Sequence, residues 1–135
     1  MIQAEESDVI IERSTFRNNT VENNGGVLHT YFYPTSYTII DSSFTNNQAR
    51  SNGGVMYAGR AGSHVTICQS TFEYNIALYR GGVIFIIGST LEINGASILG
   101  NTAEIGEVIN ACSSNVTITN PDHEVSVSQE PVLLF

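Results

Sequence analysis

The chain has 135 residues, length for one domain, and its 41 % hydrophobic content can bury a continuous core, which argues against disorder. Charged residues make up only 13 %, while Asn, Ser, Thr and Gly supply most of the polarity, the profile of a β-rich, turn-rich protein. Thirteen acids face five arginines and no lysine, and the net charge of -8 repels phosphate backbones and anionic headgroups, which sets nucleic acid aside as a partner.

Residues 1–7 form an acidic lead-in without the basic and then apolar regions of a secretion signal. From residue 8 the segment DVIIERSTF alternates like a strand, with Val9 and Ile11 facing inward and Ile10 as an outward exception. Phe16 follows, then Asn19, Val21 and the run Gly25-Gly26-Val27-Leu28. The same series returns 28 residues later: SYTIIDSSF with inward Tyr37 and Ile39, then Phe44, Asn47, Ala49 and Gly53-Gly54-Val55-Met56. It returns again as HVTICQSTF with Val65 and Ile67, then Phe72, Asn75, Ala77 and Gly81-Gly82-Val83-Ile84. A fourth, degraded copy has TLEINGASI with Leu91 and Ile93, then Ile98, Asn101, Ala103 and Gly106-Glu107-Val108-Ile109, with one residue deleted before the glycine. NVTITN, with Val116 and Ile118, begins a fifth. The longest apolar run is Val83 to Ile87, far short of the roughly 18 to 20 residues of a helical membrane span.

A coil of about 28 residues cannot bury its apolar face alone, but stacked coils share main-chain hydrogen bonds with both neighbours. The period therefore predicts an all-β parallel β-solenoid of four to five coils over residues 8–120, with three short strands per coil. Phe16, Phe44, Phe72 and Ile98 form one ladder and Asn19, Asn47, Asn75 and Asn101 an inward asparagine ladder. Gly25, Gly26, Gly53, Gly54, Gly81, Gly82 and Gly106 mark a corner with positive φ or one packed too tightly for a Cβ. One member of each aliphatic pair after the glycines points inward. Residues 121–135 form an irregular C-terminal segment: HEVSVSQE alternates like one more strand between Pro121 and Pro131, and VSVS and VLLF are placed as a cap over the last coil, unless the chain is a segment of a longer protein. Bare terminal coils would expose unpaired edges and predict end-to-end self-association.

The pairing of FxxN with a glycine pair and an aliphatic residue resembles the polymorphic outer membrane protein repeats of chlamydiae, whose passenger domains carry FxxN and GGA(I/L/V). It is also similar to right-handed parallel β-helix segments in secreted or surface proteins of protists and simple animals. Val stands here where that family usually has Ala, and the fourth copy lacks the Phe and the second Gly. The resemblance implies a right-handed β-helix, an extracellular or cell-surface location as part of a longer protein, and an adhesin-like role.

Solenoid enzymes that cleave polysaccharides need acids at one column of adjacent coils. The columns Arg13, Asp41, Gln69, Gly95 and Glu12, Ile40, Cys68, Asn94 hold no adjacent acid pair. Arg13 beside Asp41, with Glu12 close by, and the column Glu22, Arg50, Leu78, Glu104 read as solvated ladder pairs. His29, His64 and His123 fall in three different phases, so no metal or other cofactor is expected. Cys68 and Cys112 fall in different columns and read as separate thiols. Tyr31, Phe32, Tyr33 and Tyr37 cluster at the first variable corner, with Tyr57, Tyr74 and Tyr79 on later coils; they would stack on sugar rings, form a protein contact, or cover the core. The leading function is a non-catalytic structural or binding module that meets a glycan or surface protein. The alternatives are a fragment of a carbohydrate-active enzyme and an ice-binding row of Thr38, Thr66 and Thr117, which Glu92 interrupts.

Overall fold

The structure, a computed structural model, describes residues 1–122 and 125–130. A two-residue strand β1 (Ile2–Gln3) precedes the coils. The first coil carries β2 (Asp8–Glu12), β3 (Thr15–Arg17), β4 (Thr20–Val21) and β5 (Leu28–Thr30). The second carries β6 (Ser36–Ile40), β7 (Ser43–Thr45), β8 (Gln48–Ala49) and β9 (Met56–Ala58), and the third β10 (His64–Cys68), β11 (Thr71–Glu73), β12 (Ile76–Ala77) and β13 (Ile84–Ile87). The fourth has β14 (Thr90–Asn94), β15 (Ser97–Leu99) and β16 (Ile109–Cys112), followed by β17 (Asn115–Thr119) and β18 (Val127–Glu130).

Every strand pair is parallel, and the strands stack into four sheets: β1-β5-β9-β13-β16-β18, β2-β6-β10-β14-β17, β3-β7-β11-β15 and β4-β8-β12. The molecule is the β-solenoid expected from the repeat. Register partners Asp8, Ser36, His64, Thr90 and Asn115 show coil steps of 28, 28, 26 and 25 residues. Much of the shortening falls at the corner that runs YFYPTS, AGRAGS and then IIGS.

Each of the first three coils has four strands, where three are expected, because the long alternating segment is broken. Arg13, Asp41, Gln69 and Gly95 adopt φ of 45°, 48°, 48° and 71°, a left-handed kink that ends the first strand before the phenylalanine strand begins. A serine two positions ahead of each Phe secures the kink: the Ser42 Oγ accepts from the Ser14 N–H at 3.2 Å and donates to the Ile40 carbonyl at 2.8 Å, and Ser70 repeats this one coil on.

Inside, Phe44 stacks on Phe16 at 5.1 Å and on Phe72 at 5.0 Å, with planes 8° and 3° apart. The Asn47 Oδ1 accepts from both the N–H and the Nδ2 of Asn19, while its own Nδ2 donates to the Phe16 carbonyl and to the Asn75 Oδ1. Asn75 makes the same four contacts between Asn47 and Asn101. Both members of each aliphatic pair after the glycines are buried, Val27 with Leu28 through Val108 with Ile109. The corner lets two successive N–H groups, of Val27 and Leu28, share the Val55 carbonyl, so neither side chain has to turn outward.

The two glycines of each pair have different reasons. Gly25, Gly53, Gly81 and Gly106 have φ between 63° and 68°. A Cβ on these would also press on the carbonyl oxygen three residues further along the same coil, whereas a Cβ on Gly26, Gly54 or Gly82 would strike the carbonyl oxygen of Gly54, Gly82 or Glu107 on the next coil. The C-terminal segment contributes β18, paired parallel with β16, and Val125 and Val127 pack on the core. The VLLF end lies outside the described residues, as does His123.

Candidate aromatic binding corner

Between β5 and β6 the chain runs YFYPT, and its donors must find partners without the help of a regular ladder. Glu5, from the lead-in, supplies them. Its carboxylate accepts from the N–H groups of Tyr31 at 3.1 Å, Phe32 at 3.1 Å and Tyr33 at 2.6 Å. Pro34 has no N–H, and that of Thr35 donates to the Ser63 Oγ at 3.1 Å. Three successive amides form a concave nest for one anionic group, and with the backbone bound inward the side chains turn out. Tyr31, Phe32 and Tyr33 are 50 %, 61 % and 54 % exposed.

Tyr37 does not belong to this surface. It is fully buried at an inward position of β6, and its hydroxyl lies 2.7 Å from the Thr30 Oγ1. The alternation that placed Tyr37 with Ile39 in the core outweighs its nearness in sequence to the other three aromatics.

The corner gains other rings instead. His29, Tyr57 and Phe85 are register partners on the outer face of the first sheet. His29 meets Tyr57 edge-on at 5.1 Å and Tyr31 at 5.8 Å, Tyr31 meets Phe32 at 4.7 Å, and Tyr57 stacks on Phe85 at 5.3 Å. Tyr31, Phe32, Tyr33 and Tyr57, with Gly59 and Arg60, line a cleft of about 500 Å³. The contribution of His29 and Phe85 was missed because it needs the register of β5 on β9 and β13; the phase shared by His29, Tyr57 and Phe85, two residues after each Val, was the available signal. Tyr74 and Tyr79 are exposed in the bends that follow β11 and β12 and do not line the cleft.

Desolvation pushes the Glu5 carboxyl upward, but the N–H donors of Tyr33, Tyr31 and Phe32 and the Gln3 side chain outweigh it and hold the group below the ordinary carboxylate value. Burial lowers the His29 pKa, only partly offset by the Glu5 charge, so the ring is neutral near pH 7. Burial raises the Tyr57 and Tyr37 hydroxyls.

The other polar positions stay apart. The Arg13 guanidinium lies 3.8 Å from Glu12 and is not paired with Asp41; Arg50 meets Glu22 at 2.9 Å. Both pairs are solvated and worth about 0 to 1 kcal/mol. His64 lies 3.4 Å from Glu92 on the second sheet, away from His29 on the first, and no cluster of three metal-ligating side chains occurs among the described residues. Cys68 and Cys112 are free, on different sheets. Thr38, Thr66 and Thr117 share one outward row with Ile10 and Glu92.

The phenylalanine, asparagine and glycine ladders define the class as a parallel β-solenoid repeat protein. Residues 13–31 and 41–58 match the Chlamydia polymorphic membrane protein repeat, so these two segments are similar to that repeat. The matched segments run from the kink through the Phe, the Asn and the glycine pair of the first two coils. No curated protein and no solved structure matches the chain.

Proposed function

We propose that the chain is a non-catalytic repeat module of an adhesin-like surface protein, and that the corner formed by Tyr31, Phe32, Tyr33 and Tyr57 makes its adhesive contact with a glycan or surface protein. One observation carries this reading. Three consecutive aromatic side chains are held outward by a backbone nest that Glu5 fills, an arrangement that ordering on binding would otherwise have to create. The ladders supply a rigid support at a fixed spacing, and the match to the polymorphic membrane protein repeat supports a place at a surface.

The test is adhesion of the labelled chain to cell monolayers and to immobilised glycans. A variant with Tyr31→Ser, Phe32→Ser and Tyr33→Ser, which alters only exposed side chains, should lose binding while it keeps its melting temperature. Equal adhesion of the two proteins would overturn the role of the corner. Turnover of a polysaccharide would overturn the non-catalytic reading.

A further inference from the structure

We infer that the aromatic cleft binds an acidic saccharide: a pyranose stacks on the rings while its carboxylate meets the Arg60 guanidinium. This rests on the adhesive reading above and gives the corner its ligand class. Of the residues that line the cleft, four are aromatic and three of those are tyrosines. A pyranose presents a face of C–H groups bordered by hydroxyls, which fits rings that are apolar on the face and polar at the edge. An aliphatic peptide side chain would fill the space but make no use of the phenol hydroxyls and the guanidinium as hydrogen-bonding groups.

Charge selects the acidic member of the class. Arg13, Arg50 and Arg80 lie within 4 Å of Glu12, Glu22 and Glu130 respectively. Arg60 has no acidic partner among the described residues, and no acid lines the cleft. The carboxylate that this loop does touch, on Glu5, is already engaged by three N–H groups. The lining of the cleft therefore carries one unpaired cation and no acid, with the Glu5 carboxylate held behind the loop by its amides. The net charge of -8 does not oppose a bound acid at this position, because exposed charges further off than about 8 Å are largely screened at physiological ionic strength. A guanidinium offers a planar fork that matches a carboxylate, which an ammonium does not. The backbone of Arg60 is fixed separately, its carbonyl accepting from the hydroxyls of Ser63 and Ser89, so its side chain can be changed without disturbing the corner.

The experiment is calorimetric titration of the whole chain with tetragalacturonate and, in parallel, with a neutral galactose tetrasaccharide. The acidic ligand should bind at least about fivefold more tightly, and Arg60→Gln should remove that preference without weakening the neutral ligand. Arg60→Lys should restore part of it, and added salt at roughly 0.5 M should abolish it. Equal affinity for both saccharides would overturn the acidic assignment and leave the adhesive corner standing. Cell adhesion through the corner without binding of either saccharide would overturn the saccharide class in favour of a protein partner. No adhesion and no binding would overturn the adhesive reading as well.

Discussion

Asn47 and Asn75 hold neighbouring coils together through side chains with every amide group engaged, whereas Asn19 at the first coil bonds on one side only. Asn47→Ala strands buried donors and acceptors on two coils and should cost about 3 kcal/mol in urea unfolding, against about 1 kcal/mol for Asn19→Ala. A non-glycine residue in left-handed backbone carries its own cost. Gln69 has φ of 48° in the column where the fourth coil has Gly95, so Gln69→Gly should stabilise the fold by roughly 0.5 to 1 kcal/mol in the same assay. Phe, Asn and the glycine pair were legible in sequence because a side chain or its absence is the feature selected. The kink column was not, because Arg, Asp, Gln and Gly share only a backbone angle there. Ser14, Ser42 and Ser70, which bridge that kink, stood in plain view two residues before each Phe but resembled ordinary outward serines.

The lead-in and the aromatic loop behave as one element, joined by a carboxylate. A carboxyl held below its ordinary value stabilises the folded form above the unfolded pKa, and that contribution is lost as pH falls through the folded pKa. The lowered pKa of His29 has the same sign: the neutral ring is favoured, and protonation in acid opposes the packed arrangement. Amide exchange at Tyr31, Phe32 and Tyr33 should therefore accelerate as pH drops below about 4, after correction for intrinsic rates, while the Asn47 and Asn75 amides stay protected. Glu5→Gln, which keeps the shape but removes the charge, should produce the acid behaviour at neutral pH. Unchanged protection in that variant would mean that the nest is not what orders the loop. The cluster of aromatics was visible in sequence. The nest was not, because nothing in the lead-in's order of residues shows that Glu5 returns to a loop 26 residues away.

The two ends of the solenoid differ. On the first coil Phe16, Val9 and Val21 are only partly covered; at the far end Val116 and Ile118 are partly covered too, but Ile98 is 6 % exposed, the Asp122 N–H donates to the Ala96 carbonyl, and Val127–Glu130 adds a strand to the first sheet. Removing residues 121–135 would bare the β16 edge and separate Arg80 from Glu130, 3.1 Å apart. Sedimentation should then show larger species and the melting temperature should fall; a monomer of unchanged stability would deny the segment any covering role. The period revealed the number of coils and their stacking, and the alternation of HEVSVSQE suggested one more strand, but its pairing with β16 could not be read from the repeat because only 18 residues separate Ile109 from Val127.

The tight glycine column also acts as a counter for the stack. Each second glycine leaves room for the carbonyl of the coil that follows, and the fourth coil puts Glu107 there, with a cleft of about 580 Å³ beside it shared by Val125, Ser126 and Val127. A side chain at that point is compatible only with a coil that has no like neighbour beyond it. The unit can thus be copied between the first and third coils at little cost, but a copy placed after the fourth would have to displace β18 from the β16 edge and would meet the Cβ of Glu107 as well.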